Sequence, residues 1–180
     1  ALRDWPEHEP RNVLDLGVGS GAIILAILAE RPAAKGLGID VSEEALAVAR
    51  ENAANLGLEG RLALLRGDWT AGLGEATFDV VVSNPPYIPT GDIATLDPEV
   101  RDHEPHLALD GGPDGLDAYR VLGPEILRVL KPGGRFLVEI GHDQSADVEP
   151  LFAAAGAIEV STLKDQIGRA SCRERVYHPV

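Results

Sequence analysis

The sequence predicts an α/β fold, a doubly wound and mostly parallel sheet, and three observations predict it. Short apolar runs alternate with segments of helical period along most of the chain, the pattern of strand–helix–strand units laid on one parallel sheet. Two of the apolar runs, Asn12–Leu16 and Phe78–Ser83, stop abruptly at glycines or prolines, so the chain leaves the sheet at a defined edge. In open α/β sheets that carboxyl edge is where ligands bind. The length of 180 residues, with 44% apolar and 25% charged residues, suits one globular domain with a sizeable core.

Residues 1–11 are polar and interrupted by Pro6 and Pro10, and read as a lead-in without regular structure. Asn12–Leu16 is the first strand, Gly17-Val18-Gly19-Ser20-Gly21 a turn, and Ala22–Ala29 a helix that is apolar almost all round. Glycines accept positive φ and let a ligand approach the backbone, and the helix start offers free N–H groups. The turn does not choose its ligand, because Gly17, Gly19 and Ala22 also satisfy the dinucleotide pattern of NAD enzymes. Gly36–Ile39 is the second strand and ends in Asp40, an acid placed to accept hydrogen bonds from both hydroxyls of a ribose. Ser42 caps the next helix, with Glu43 and Glu44 in its first turn. Ala45, Leu46, Ala49, Ala53 and Leu56 then recur at helical spacing up to Gly57. Arg61–Arg66 is the third strand and leads to Gly67-Asp68-Trp69. Asp68 is suited to accept from an adenine amine, and Trp69 divides evenly between stacking on that ring and filling the core.

The fourth strand, Phe78–Ser83, runs into Asn84-Pro85-Pro86-Tyr87. Each proline pushes the residue before it into an extended conformation, so Asn84 and Pro85 project past the sheet. Ile88 to Asp117 is a long polar connection rich in glycine and proline, suited to covering a substrate. Its His103 and His106 read as surface histidines. Ala118–Leu130 is a helix, Lys131–Gly134 a turn and Arg135–Ile140 the fifth strand. Val148, Leu151, Phe152 and Ala155 define an amphipathic helix, and Ala157–Leu163 a sixth strand.

Charge and composition narrow the classes of function. A net charge of −13 argues against direct binding of DNA or RNA, whose readers usually carry a basic patch. The single cysteine, Cys172, excludes an internal disulfide and a cysteine-cluster metal site, and no metal is expected. No apolar run is long enough to span a membrane and no signal segment opens the chain, so a cytoplasmic location is expected. The chain does not start with Met, as for a piece of a longer protein. Residues 166–180 differ from the rest: Ile167 to Val176 resembles an in-frame translation of a sequencing adapter, and is expected to be read-through. The alternative is a native final strand around Arg173–Val180.

Over residues 12–165 a set of motifs occurs in order: Val13–Ile23 (VLDLGVGSGAI), Asp40-Val41-Ser42, Gly67-Asp68-Trp69 and Ser83–Pro89 (SNPPYIP). Glu104-Pro105, Ala108–Gly112 (ALDGG), Asp114–Asp117 (DGLD) and Glu139-Ile140-Gly141 follow. Together they resemble the release-factor glutamine N5-methyltransferase family. The resemblance implies a Rossmann-like class I fold that uses S-adenosylmethionine, leaves S-adenosylhomocysteine and needs no metal. It implies that Gly17, Val18, Gly19, Ser20, Gly21, Asp40, Asp68, Trp69 and Asn84 contact the donor. Asn84, Pro85, Pro86 and Tyr87 would hold the glutamine of the Gly-Gly-Gln loop of a class 1 peptide chain release factor, with Asn84, Pro85 and Tyr87 serving catalysis. The family's helical N-terminal domain and the Arg-Pro-Glu-Thr-type segment before its first strand are absent from this sequence, so it resembles the catalytic domain alone. Two alternatives stand beside this reading: an adenine or guanine N-methyltransferase of nucleic acid using the same Asn-Pro-Pro-Tyr motif, and a donor-binding module without turnover. A NAD-dependent oxidoreductase accommodates the glycine turn and Asp40 but leaves Asn-Pro-Pro-Tyr without a role.

Overall fold

The computed structural model describes residues 5–164 and 170–176. In chain order the strands are β1 (Asn12–Leu16), β2 (Lys35–Asp40), β3 (Leu62–Arg66), β4 (Phe78–Ser83), β5 (Leu130–Glu139), β6 (Ser161–Lys164) and β7 (Ala170–Val176). The helices are α1 (Ala22–Glu30), α2 (Glu43–Asn55), the single turns α3 (Pro98–Arg101) and α4 (His106–Leu109), α5 (Asp117–Val129) and α6 (Ser145–Ala154). The strands form one sheet in the order β3-β2-β1-β4-β5-β7-β6, with β1 to β5 parallel.

The central strands are buried on both faces, which is why they read as unbroken apolar runs. Alternation along β1 sends Leu14 and Leu16 to a core shared with Tyr119, Ile126, Phe136 and Phe152, and Val13 to one shared with Ile24, Leu28, Leu46 and Val82. Phe136 and Phe152 stack at 4.7 Å between ring centres, joining β5 to α6. Burying each such side chain is worth about 1.5–3 kcal/mol. The Ser42 hydroxyl accepts from the Ala45 amide at 3.2 Å and caps α2 as expected. The polar lead-in is less detached than its composition suggests: Trp5 is buried against α1, and its indole donates to the Glu9 carbonyl at 3.1 Å.

Three expectations are corrected. Lys131–Gly134 is not a separate turn before the fifth strand. Leu130 already pairs with Phe78, and the four residues form an irregularity inside β5 before Arg135 pairs with Val80. That irregularity is pinned where the Lys131 ammonium meets both Asp79 oxygens at 2.9 Å. The sixth strand begins only at Ser161 and is antiparallel to β7, which itself runs antiparallel to β5. Two consecutive strands joined by a short connection can pair only in this sense. Residue 165 and, of the suspected tail, residues 166–169 and 177–180, like residues 1–4 of the lead-in, lie outside the described residues, whereas Ala170–Val176 forms a strand, earlier than the Arg173–Val180 alternative.

The third correction concerns residues 88–117, which are not an open connection. Ile88 makes a parallel bridge with Asp110, the Gly111 amide donates to the Ile88 carbonyl at 2.8 Å, and the Thr90 amide donates to the Gly112 carbonyl at 2.9 Å. A 3-10 helix over Thr90–Thr95 buries Ile93, and α3 and α4 follow as single turns.

Candidate active site at the carboxyl edge of the sheet

Strand register brings the sequence-predicted residues to one row. Leu16 lies opposite Ile39 on one side and Ser83 on the other, and Ser83 lies opposite Val138. The next residue on each strand, Gly17, Asp40, Asn84 and Glu139, therefore lies at the same level, with neighbouring strands about 4.8 Å apart. Gly17 and Asn84 leave the sheet there, while Asp40 and Glu139 are the last paired residues of β2 and β5. Arg66 pairs with Asp40, so Gly67-Asp68-Trp69 begins beside Asp40. The Ser83 hydroxyl donates to the Leu16 carbonyl at 2.7 Å and locks the two central strand ends together.

The glycine turn closes on β2. The Gly17 and Val18 amides both donate to the Ile39 carbonyl at 2.9 Å, and the Gly19 amide donates to one Asp40 oxygen at 2.9 Å. The other Asp40 oxygen accepts from the Ser42 amide at 2.9 Å. Each carboxylate oxygen thus keeps a lone pair for a ligand hydroxyl while its first bond fixes it in place. Ser20, exposed on the turn, accepts from the Asn52 side chain of α2 through its carbonyl at 2.9 Å. Gly17 and Gly19 have φ of 71° and 53°, and a Cβ built on either would meet nothing within 4 Å. These glycines answer to backbone conformation, and the space above them is an open cradle.

Asp15, beneath the glycine turn, was missed by sequence reasoning. It is fully buried two residues below Gly17, and neither carboxyl oxygen has a hydrogen-bond partner of good geometry in the protein. Burial raises its pKa to about 8; the Ile24 amide in α1 offsets part of the rise and the negative Asp40 adds to it. A cation bound nearby would favour the ionised form. The signal was in the sequence: an acid inside a strand otherwise apolar at Val13, Leu14 and Leu16.

On the other side of the row Asn84 is exposed, Pro85 is buried, and Pro86 and Tyr87 are half-buried. Burial raises the Tyr87 pKa and the Glu139 charge adds to it, while burial raises that of Glu139. Trp69 packs against the larger core while remaining partly exposed, and Asp68 beside it is exposed. His103 and His106 are exposed on the segment beyond Tyr87, and no group of three or more His, Cys, Asp or Glu side chains suited to a metal occurs among the described residues. Gln144, the second residue missed, is buried and joins Tyr87 to the 88–117 segment, with its amide nitrogen 2.9 Å from the Tyr87 carbonyl. The two carbonyls it binds, of Tyr87 and Gly115, are distant in sequence, so no local pattern marks that contact.

A family model described as a methyltransferase domain matches residues 7–167. The chain belongs to the methyltransferase domain family. This methyltransferase domain is 74% identical over 164 residues to a release factor glutamine methyltransferase of Caulobacter vibrioides, covering 91% of this chain and 57% of that protein. It is 49% identical over 160 residues to a protein of the same name from Rhodospirillum rubrum, covering 89% of this chain and 49% of the other. The resemblance carried by the sequence motifs is therefore borne out, and the chain spans about half the length of these curated relatives. Among solved structures, a methyltransferase from Pyrococcus furiosus superposes with a TM-score of 0.69 at 19% identity, over 97% of this chain and 78% of that one. That likeness concerns the fold, and agrees with a mostly parallel Rossmann-like methyltransferase sheet. No helix among the described residues is long and apolar enough to cross a membrane.

Proposed function

We propose that this domain transfers a methyl group from S-adenosylmethionine to the side-chain amide nitrogen, N5, of the glutamine in the Gly-Gly-Gln loop of a class 1 peptide chain release factor. The observation that carries the proposal is the strand register, which sets Asn84-Pro85 immediately beside the open glycine cradle of Gly17 and Gly19. The names of the relatives supply the substrate class.

The residues present fit a cationic nucleoside donor. The cradle admits close approach, Asp40 keeps lone pairs for a ribose, and Asp15 is a buried acid without a partner. Asp68 and Trp69 border the same edge and would take the adenine, with Val18, Ser20 and Gly21 completing the turn. When bound, the donor supplies a strongly electrophilic methyl group.

An amide nitrogen is a weak nucleophile because its lone pair is delocalised into the carbonyl, so the domain's main task is orientation. The Asn84 side-chain oxygen and the Pro85 carbonyl each accept one N–H of the substrate amide. Both protons then face the protein and the nitrogen lone pair can turn outward. As positive charge grows on nitrogen these two acceptors hold it more tightly, the differential binding that lowers a barrier. Tyr87 and Pro86 pack on the amide plane and exclude water. No base is needed before attack, since the nitrogen becomes acidic only after it is methylated.

The test is transfer of labelled methyl from S-adenosylmethionine to a purified bacterial release factor, its Gln→Ala loop variant and bulk RNA in parallel. Label on the wild-type factor alone is expected. Label on RNA would replace this reading with a nucleic-acid N-methyltransferase, and donor binding with no label anywhere would leave a donor-binding module.

A further inference from the structure

Gln144 sits just ahead of α6, is buried, and uses its side-chain amide on both ends. Its nitrogen donates to the Tyr87 carbonyl at 2.9 Å and to the Gly115 carbonyl at 3.2 Å. Its oxygen accepts from the Gly141 amide at 2.9 Å and from the Tyr119 hydroxyl at 3.3 Å. The orientation of the amide follows from its partners, because two carbonyls need donors and a backbone N–H needs an acceptor. One side chain thus ties together the end of the Asn-Pro-Pro-Tyr run, the segment that follows it, the end of β5 and α5.

The surroundings are shaped to this side chain. A Cβ on Gly115, where φ is 75°, would run into the Tyr87 carbonyl and lie 2.7 Å from the Gln144 nitrogen. A Cβ on Gly141 would lie 2.7 Å from the Gln144 oxygen, and one on Gly111 would lie 2.9 Å from the Tyr87 Cα. Filler would need only volume; this site supplies two carbonyl acceptors, a backbone N–H donor and the Tyr119 hydroxyl at defined positions. Pro85 and Pro86 have φ fixed by their rings, so anchoring the Tyr87 carbonyl constrains the whole run back to Asn84.

We propose that Gln144 is a positioning residue for amide methylation: it holds Asn84-Pro85-Pro86-Tyr87 and the Gly111–Gly115 segment in one geometry, so that both substrate acceptors point at the same amide. This rests on the function proposed above. It goes beyond that function in assigning the amide-side geometry to a residue that does not touch the substrate.

The test compares the 180-residue chain with Gln144→Glu and Gln144→Leu between pH 6 and 9. A neutral glutamic acid keeps the oxygen acceptor and can donate to one carbonyl, whereas the ionised form turns a charge on two carbonyls. Burial raises the carboxyl's pKa, so the neutral form persists at the lower end of this range. For Gln144→Glu, kcat is expected to fall about a hundredfold at pH 9 and recover in part at pH 6 relative to wild type. Affinity for S-adenosylhomocysteine should stay unchanged, and Gln144→Leu should show the loss without the recovery. A Gln144→Glu profile that tracks wild type across the range would overturn the proposal. Amide hydrogen exchange of the same chains, with no substrate, separates this outcome from a failure of the functional reading. At matched high pH, the Ile88, Thr90, Gly111 and Asp117 amides should exchange at least about tenfold faster in Gln144→Glu, with β1 unchanged. If wild-type protein methylates no release factor, this arm alone decides: selective loosening supports the proposal. Unchanged protection overturns it, and so does uniformly faster exchange that includes β1.

Discussion

On the proposed donor side of the site, the turn from Gly17 to Gly21 is held by the Ile39 carbonyl and the Asp40 carboxylate, each at the end of the adjacent strand. On the amide side, the run from Asn84 to Tyr87 is held by Gln144, which lies 57 residues further along the chain and also binds Gly115 and Gly141. The donor side is a local strand–turn–helix unit closed by its nearest neighbour. The amide side takes its geometry from a side chain anchored between three distant segments. Changes on the first are therefore expected to act on donor affinity, and changes on the second on turnover.

The largest effect is expected from Asn84→Ala. Removing one preorganised acceptor should lower kcat by about 10²–10³, a loss that persists at saturating donor. Weakened donor binding with normal turnover would collapse the distinction between the two sides. Asp40→Asn sharpens it from the opposite direction. An amide cannot accept from both the Gly19 and Ser42 amides, and losing a charge-assisted bond worth about 1.5–3 kcal/mol should weaken donor binding by about 10–100-fold. With saturating donor, kcat should stay near wild type.

Gly115→Ala tests the amide side without replacing Gln144. The new methyl group must displace the Tyr87 carbonyl or the Gln144 nitrogen, at a positive φ that alanine adopts poorly. A loss of about 1–3 kcal/mol in stability is expected from denaturant titration, with kcat lowered further than donor affinity. The smallest effect is expected from Asp15→Asn. The folded pKa of Asp15, about 8, lies above its ordinary value of 3.8, so its contribution to stability is greatest below pH 4 and declines as pH rises towards 8. The asparagine variant removes that decline. Its melting temperature should exceed that of wild type by an amount that grows from pH 5 to pH 8. A gap that is constant with pH would mean that Asp15 is already ionised in the folded protein.

Much of the donor side was legible in the sequence because each of its devices is local. A glycine cluster directly after Asn12–Leu16 and an acid directly after Gly36–Ile39 can be placed once the strands are recognised. Asp15 escaped notice because an acid in a strand can face solvent on an edge. Only the pairing of β1 with both β2 and β4 shows that it faces neither water nor a partner. On the amide side the sequence shows the Asn-Pro-Pro-Tyr run but not its support. Residues 88–117 lack helical or strand period because their order comes from single turns and one bridge to Ile88, none long enough to leave a repeat.

The sequence by itself determined the five parallel strands and the order in which the glycine turn, Asp40 and the Asn84–Tyr87 run follow them. Apolar period and proline sterics act within a few residues, so they are written locally. Tertiary structure decided what only contact between distant segments can decide: the row formed by Gly17, Asp40, Asn84 and Glu139, the antiparallel β7 beside β5, the burial of Asp15 and the partners of Gln144. Hydrogen bonds depend on direction and distance within a few tenths of an ångström. Residues 57 positions apart reach that geometry only once the sheet and its helices have packed.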